Sequence, residues 1–418
     1  MKNPILTSRL IGMNFLEFAV WGAYLTSMGT YLAGAGFAEH IWLFYAIQGV
    51  VSIFMPGIMG IVADRWVPAQ RLLGFCHLMA GALMVAAGFY GLQSAPAFGG
   101  LFALYTLSVA FYMPTLALSN AVAFNALNMA GMDTVRDFPP IRVFGTVGFI
   151  CTMWVVDLCG FQPTSYQFVV SGGLSLLLGL YAQTLPACPV SSATASRSFA
   201  ESMGFDAFRL LRERRMALFF LFSMLLGVSL QITNGYANPF ITSFQSVTAY
   251  ADTFGAQHAN ILISLSQVSE TCCILLIPFC LKRFGIKRVM MLAMLAWVLR
   301  FGLFGLGNPG DGVWMFVLSC IVYGVAFDFF NISGALFVDE NTDRGIRSSA
   351  QGLFMIMTNG LGASLGTWAA GQIINHYVYT QPEAMQIAGW RTAWFIFAAY
   401  ALVVLVLFAL FFREKRAK

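Results

Sequence analysis

Polar and apolar positions do not alternate along this chain. Apolar residues run on for about twenty positions or more, and short polar segments separate the runs. A membrane helix needs about 20 mostly apolar residues to cross the hydrocarbon core. Twelve stretches meet that need: 9–34, 42–63, 72–93, 98–126, 139–160, 166–185, 216–245, 258–281, 288–306, 312–338, 350–376 and 391–412. Strands of a membrane barrel would give short alternating segments instead. The pattern therefore predicts an all-α polytopic membrane protein with twelve transmembrane helices.

The polar segments carry a second pattern. With the N-terminus placed in the cytoplasm, twenty of the 23 Lys and Arg residues fall on the cytoplasmic side. They include Arg65 and Arg71, Arg209 to Arg215, Lys282 to Arg288, and the C-terminal cluster from Arg413. The opposite loops hold only Arg391, and Arg142 and Arg300 fall within spans. Cytoplasmic loops carry this excess of positive charge, so both termini are expected to be cytoplasmic. The longest interruption, residues 186–215, holds Pro186, Pro189, a Ser/Thr/Ala run and an Arg-rich segment. It predicts a six-helix bundle over 1–185, a cytoplasmic central loop over 186–215 and a second six-helix bundle over 216–418. A chain built as two bundles reads as a transporter with its substrate site near the membrane midplane, between the halves.

Composition excludes other classes. Of 418 residues, 59% are hydrophobic and 10% charged, against about 25% charged in soluble domains. A soluble enzyme, a disordered scaffold and a disulfide-stapled secreted module are excluded. The net charge of +5 is spread over seven short segments, which is topology and not a nucleic-acid surface. The first run is too long for a signal peptide and carries Glu17. Eight cysteines form no CxxC pair and read as small core residues, while four histidines are scattered, so no metal set or cofactor is expected. No HExxH or GxxxxGK[ST] motif is present, which argues against an intramembrane enzyme or an ATPase.

Charge inside the bilayer costs about 2.5–3.5 kcal/mol on insertion scales, so residues that keep it there usually work. Glu17, Arg142, Glu270, Arg300 and Asp328 lie well within spans. Their neighbours form polar stripes at helical spacing: Arg142, Thr146 and Phe149; Gln231 and Asn234; Gln267 and Glu270; Asp328 and Asn331 beside Phe327. Amides with a carboxylate suit a ligand rich in donors and acceptors, and aromatics pack on a flat ring. The same amides could equally tie helices together. A carboxylate whose solvation alternates between two conformations takes up a proton on one side and releases it on the other. Asp328, Glu270 and Arg142 are the candidates for that task, and Glu17 is either a second proton site or a carboxylate paired in its bundle. Gly362 and Gly366 form a GxxxG pair, Pro56 and Pro114 can kink their spans, and Pro139-Pro140 open span five.

Gly60-Ile-Val-Ala-Asp64-Arg65, followed by Arg71, resembles the loop motif of the major facilitator superfamily, with Val67 where a second glycine is usual. That resemblance implies a gating role for Asp64 and Arg65; as plain topology determinants, Arg65 and Arg71 would look the same. A wider resemblance covers nearly the whole chain. It is carried by Tyr112-Met-Pro-Thr115, Asp137-Phe-Pro-Pro-Ile-Arg142 with Gly145-Thr-Val-Gly148, Gln231-Ile-Thr-Asn234, Ser266-Gln267-Val-Ser-Glu270, and Ala326-Phe-Asp-Phe-Phe-Asn-Ile-Ser-Gly334. These stretches are similar to the bacterial nucleoside:H+ symporter family of that superfamily. The resemblance implies proton-driven nucleoside uptake across the inner membrane by a monomer, with nucleoside, protons and the lipid bilayer as partners and no nucleic acid. It implies substrate contacts from Gln231, Asn234, Gln267 and Glu270, with Arg142, Thr146, Phe149, Phe327 and Asp328 lining the same cavity. Glu17 departs from the pattern, standing where a member of the family has glutamine. The alternative within this fold is a carrier of another polar solute, such as a sugar.

Overall fold

The structure is a computed structural model and describes residues 3–188, 205–342 and 347–412. Among the described residues the elements are helices and no strand occurs. The central-loop residues 189–204 lie outside them.

Eight spans are each long and apolar enough to cross a membrane. They are span two (Ile41–Arg65), three (Ala69–Gly91), four (Phe98–Tyr112 and Thr115–Met129), five (Thr134–Leu158), seven (Arg214–Ser243), nine (Ile286–Leu306), ten (Val313–Glu340) and twelve (Glu383–Phe411). Span eight is a bent pair, Ala259–Ile274 and Ile277–Phe284, with 56° between its halves. Span six, Tyr166–Ala182, has 17 residues, about 26 Å of helix. Span one is broken into Pro4–Gly22 and Met28–Gly34. Span eleven runs Arg347–Met355, Ile356–Gly362, Ala363–Ile374 and Asn375–Tyr379, and its second and fourth pieces are π-helical. Among the described residues these helices group into twelve rods, of which eight, or nine with the bent pair, pass as spans by length and composition.

The ends differ from expectation where polar chemistry extends a helix beyond its apolar run. Span one starts at Pro4 because the Asn3 side chain accepts from the Leu6 N–H at 3.1 Å, an N-cap in a chain position with no apolar signal. Span twelve starts at Glu383, directly after Pro382, and not at 391. Span five starts at Thr134, so Pro139 and Pro140 lie inside the helix and do not open it. Its entry is held by the Asp137 carboxylate, which accepts from the Asp133 N–H at 3.1 Å and from Arg136 Nε at 2.9 Å.

The chain divides into two compact units, Met1–Phe37 with Val50–Met203, and Ala38–Gly49 with Gly204–Lys418. In the first unit, Gly74, Gly81 and Gly88 recur every seven residues on span three and meet span six. A Cβ on Gly81 would stand 2.8 Å from the Gly172 carbonyl oxygen, so the two backbones touch. Lipid gives helices no hydrophobic reason to associate, and small residues gain dispersion contact by letting backbones approach. In the second unit, Gly227 of span seven abuts the Thr358 backbone, and Gly362 and Gly366 both press on span seven. The start of span two packs within this unit too: Ser364 Oγ donates to the Ala46 carbonyl at 3.1 Å, and Asn375 Nδ2 to the Glu39 carbonyl at 2.9 Å. Large apolar side chains such as Phe89, Leu180, Trp314 and Leu410 are exposed on the rods, which is the surface a bilayer covers.

The glycine seam gives a direct prediction. Gly81→Val forces spans three and six apart and should destabilise by at least about 1–3 kcal/mol, the usual range for overpacking. A lower thermal midpoint in detergent measures it. Gly99→Val is the control, since nothing lies within 4 Å of a Cβ there; equal midpoints for the two variants would refute the seam.

Candidate functional site

In the second unit the polar stripes meet aromatic rings. On span seven, Asn234 Nδ2 donates to Gln231 Oε1 at 3.2 Å. The i, i+3 spacing that put both amides on one face thus lets one orient the other. It leaves the Gln231 NH2 and the Asn234 carbonyl oxygen as a donor and an acceptor for a ligand. Asn331 Nδ2 instead donates to its own helix, at the Phe327 carbonyl (3.0 Å).

Gln267 and Glu270 of span eight are half-buried. Span ten can come close because Gly324 abuts the Ser269 backbone and Ser269 Oγ donates to the Ile321 carbonyl. The approach centres on Tyr323. Its hydroxyl lies beside the Gln267 side chain, and Glu270, Asp328 and Arg300 all lie within electrostatic reach of it. Its ring stacks on Phe327 (centroids 5.7 Å, planes at 4°) and stands edge-on to Trp297 (5.9 Å). Arg300 lies over the same ring at 4.5 Å and donates from one guanidinium nitrogen to the Ser319 carbonyl at 2.9 Å and to Ser266 Oγ at 3.3 Å. Asp328 is 4% exposed, and its Oδ2 has no hydrogen-bond partner among the described residues. A narrow cleft opens beside this group. Trp297, Phe327, Phe330, Asn331, Thr358 and Asn359 line it, the last two from the π-helical part of span eleven. π turns free backbone from regular bonding and recur at functional sites.

In the first unit, Arg142 lies 3.8 Å above the Phe18 ring. Gly145 leaves room for this pair, since a Cβ there would meet Phe18 at 2.6 Å and an Arg142 nitrogen at 2.8 Å. Thr146 and Phe149 share the Arg142 face, while Val143, Phe144 and Val147 turn outward. The Phe149 backbone rests on Gly22 of span one.

Glu17 is paired in its bundle. Its Oε2 sits 2.9 Å from His77 Nε2, and its Oε1 accepts from Thr115 Oγ1 at 2.6 Å. His77 Nδ1 meets Ser175 Oγ at 2.9 Å, and the Tyr112 hydroxyl donates to the Glu17 carbonyl at 2.9 Å. Glu17 and His77 are both fully buried.

Glu270, Asp328, Gln267 and Phe327 are thus gathered around Tyr323, and Gln231 and Asn234 bond each other. Arg142, Thr146, Phe149 and Glu17 belong to the first unit, so Arg142 is not in the unit that holds the two carboxylates. Arg65 closes the helix of span two, while the Asp64 side chain lies outside the described residues. Sequence reasoning missed His77, Thr115, Tyr323 and Trp297. For Thr115 a signal existed, because Tyr112-Met-Pro-Thr115 is among the stretches that carry the resemblance; for the aromatics there was none within an apolar run.

With several helices broken or kinked and ionisable and amide side chains gathered among them, the chain is a multi-pass membrane protein of the major facilitator fold, and its relatives are transporters and not enzymes. The family profile described as "Nucleoside H+ symporter" matches residues 5–417, and the chain belongs to that family. It is 45% identical over 407 residues to the xanthosine permease of Escherichia coli (strain K12), covering 96% of this chain and 95% of that one. It is 44% identical over 413 residues to the nucleoside permease NupG of the same organism, with coverage of 97% and 96%. Crystal structures of the nucleoside transporter NupG superpose with TM-scores of 0.92 for a point mutant and 0.88 for a second structure, each at 43% identity over 98% of this chain and all of that one.

Proposed function

We propose that the chain takes up nucleosides together with protons, by alternating access, across the bacterial inner membrane. The family and its nucleoside- and xanthosine-carrying relatives support the substrate class. The observation that carries the chemistry is Asp328, a nearly buried carboxylate with an unpartnered oxygen, set beside Glu270 and an amide–aromatic group. In this reading Gln231, Asn234, Gln267 and Glu270 bind ribose hydroxyls and the base edge. Phe327 packs on the base, and Arg142, Thr146 and Phe149 contribute contacts from the first unit. Asp328, with Glu270 and Arg142, handles the proton. Asp64 and Arg65 gate the cycle. The charge pattern supports cytoplasmic termini, and the chain acts as a monomer.

Proteoliposomes with an imposed pH gradient test this. Labelled uridine should accumulate uphill, unlabelled nucleosides should compete and sugars should not, and a protonophore should abolish accumulation. Competition by sugars alone would move the reading to the sugar-carrier alternative. No nucleoside uptake by the intact protein would overturn it.

A further inference from the structure

The Glu17 cluster joins four spans of the first unit and takes no part in the mechanism above. Its hydrogen atoms can be counted. Ser175 has one hydroxyl hydrogen and gives it to the His77 carbonyl, at 2.9 Å. With that hydrogen on the carbonyl, the Ser175 oxygen accepts from His77 Nδ1–H, the tautomer this count uses. Between His77 Nε2 and Glu17 Oε2, also at 2.9 Å, one further proton is needed, because otherwise two lone pairs face each other. With that proton the pair is neutral overall, whichever partner holds it.

Thr115 makes the cluster more than a static pair. Its hydroxyl oxygen lies 2.6 Å from Glu17 Oε1 and 2.6 Å from the Tyr112 carbonyl. One hydrogen cannot serve both. In the neutral state the Thr115 hydroxyl donates to Glu17. If a second proton arrives on Glu17 Oε1, that oxygen donates to Thr115, and the Thr115 hydroxyl turns to the Tyr112 carbonyl. Every polar group is then still bonded, and the cluster has gained one proton and one positive charge. A rotation of one hydroxyl separates the two states.

We propose that the Glu17–His77–Thr115 cluster is a second proton-binding site of the chain, loading and releasing one proton in each transport cycle. This rests on the proton-coupled reading above. Cys76 and His77 of span three and Tyr112 and Thr115 of span four face Glu17; Ser175 of span six faces His77, and Tyr24 of span one's turn and Arg142 of span five lie within electrostatic reach of Tyr112. Arg142 is the cation among these groups, and a positive charge opposes an added proton.

The test uses the full chain in proteoliposomes with the membrane potential held at zero. Each coupled proton supports about tenfold accumulation per pH unit. One proton at the Asp328–Glu270 pair and one here give about 100-fold for the wild type under a one-unit gradient. Glu17→Gln should reach only about tenfold, while nucleoside exchange at equal pH persists as the control for folding. A wild-type ratio near tenfold, or a Glu17→Gln ratio equal to wild type, overturns the proposal. Should Glu17→Gln not fold, Thr115→Val decides: it removes the hydroxyl that Glu17 bonds in both states, so the pH midpoint of accumulation should move, and an unmoved midpoint counts against the site. Acid-minus-neutral infrared spectra of the substrate-free protein give a readout independent of the solute. A carboxyl C=O band missing in Glu17→Gln supports the site, and identical spectra refute it. No nucleoside uptake with that band intact would sink the nucleoside reading and leave the proton site standing.

Discussion

Asp328→Asn should lower pH-driven nucleoside accumulation by about tenfold for each unit of imposed gradient, while nucleoside exchange at equal pH continues. The carboxylate is nearly buried, one of its oxygens has no partner among the described residues, and a second carboxylate, Glu270, acts on the same tyrosine. Two negative charges that close in a poorly hydrated place are costly, and a bound proton removes the cost. Asparagine keeps the shape and cannot exchange a proton. The variant therefore separates carrying the solute from concentrating it. Accumulation equal to wild type would take Asp328 out of the coupling machinery.

Arg142→Gln should raise the half-saturation concentration for exchange by about 10- to 100-fold, since hydrogen bonds to a charged group are worth about 1.5–3 kcal/mol. Arg142→Lys should rescue little of this. The guanidinium carbon lies over the Phe18 ring at 3.8 Å, and an ammonium neither stacks on a ring as a guanidinium does nor offers the planar fork of donors. Concentration-dependent exchange rates check both variants. A half-saturation concentration unchanged in Arg142→Gln would mean that the residue serves only its own bundle.

Hydropathy alone made the twelve rods legible, because in a bilayer a long apolar run has few other fates. What it could not show was how each rod is built. The break after Gly22 has no proline to announce it. The π turns at Ile356–Gly362 and Asn375–Tyr379 are properties of packing against span seven and span twelve, not of local composition. Proline was read too literally at Pro139 and Pro140, because a polar capping arrangement around Asp133 and Asp137 carries the helix past them.

Within the candidate site the same divide holds. Gln231 and Asn234 stand three residues apart, so the sequence places them on one face, and they bond each other. His77 stands alone in an apolar helix, and its partners Glu17 and Ser175 are 60 and 98 positions away. No local rule links them. Tyr323 was hidden for another reason. In a run of apolar residues an aromatic that faces lipid and one that carries an arginine on its ring look alike, and only Arg300 one helix away tells them apart.

The knot formed by Glu17, His77, Thr115 and Ser175 also bears on how the first bundle assembles. Spans one, three, four and six enter the bilayer as separate helices, and helix association follows insertion. Until their helices meet, Glu17 and His77 lack these partners, and the full set is satisfied only when all four are together. Any pairing of these helices in a shifted register leaves at least one of the two groups unsatisfied. The cluster thus acts as a checkpoint: wrong assemblies keep the penalty and come apart, and only the arrangement with all four helices in register is relieved of it.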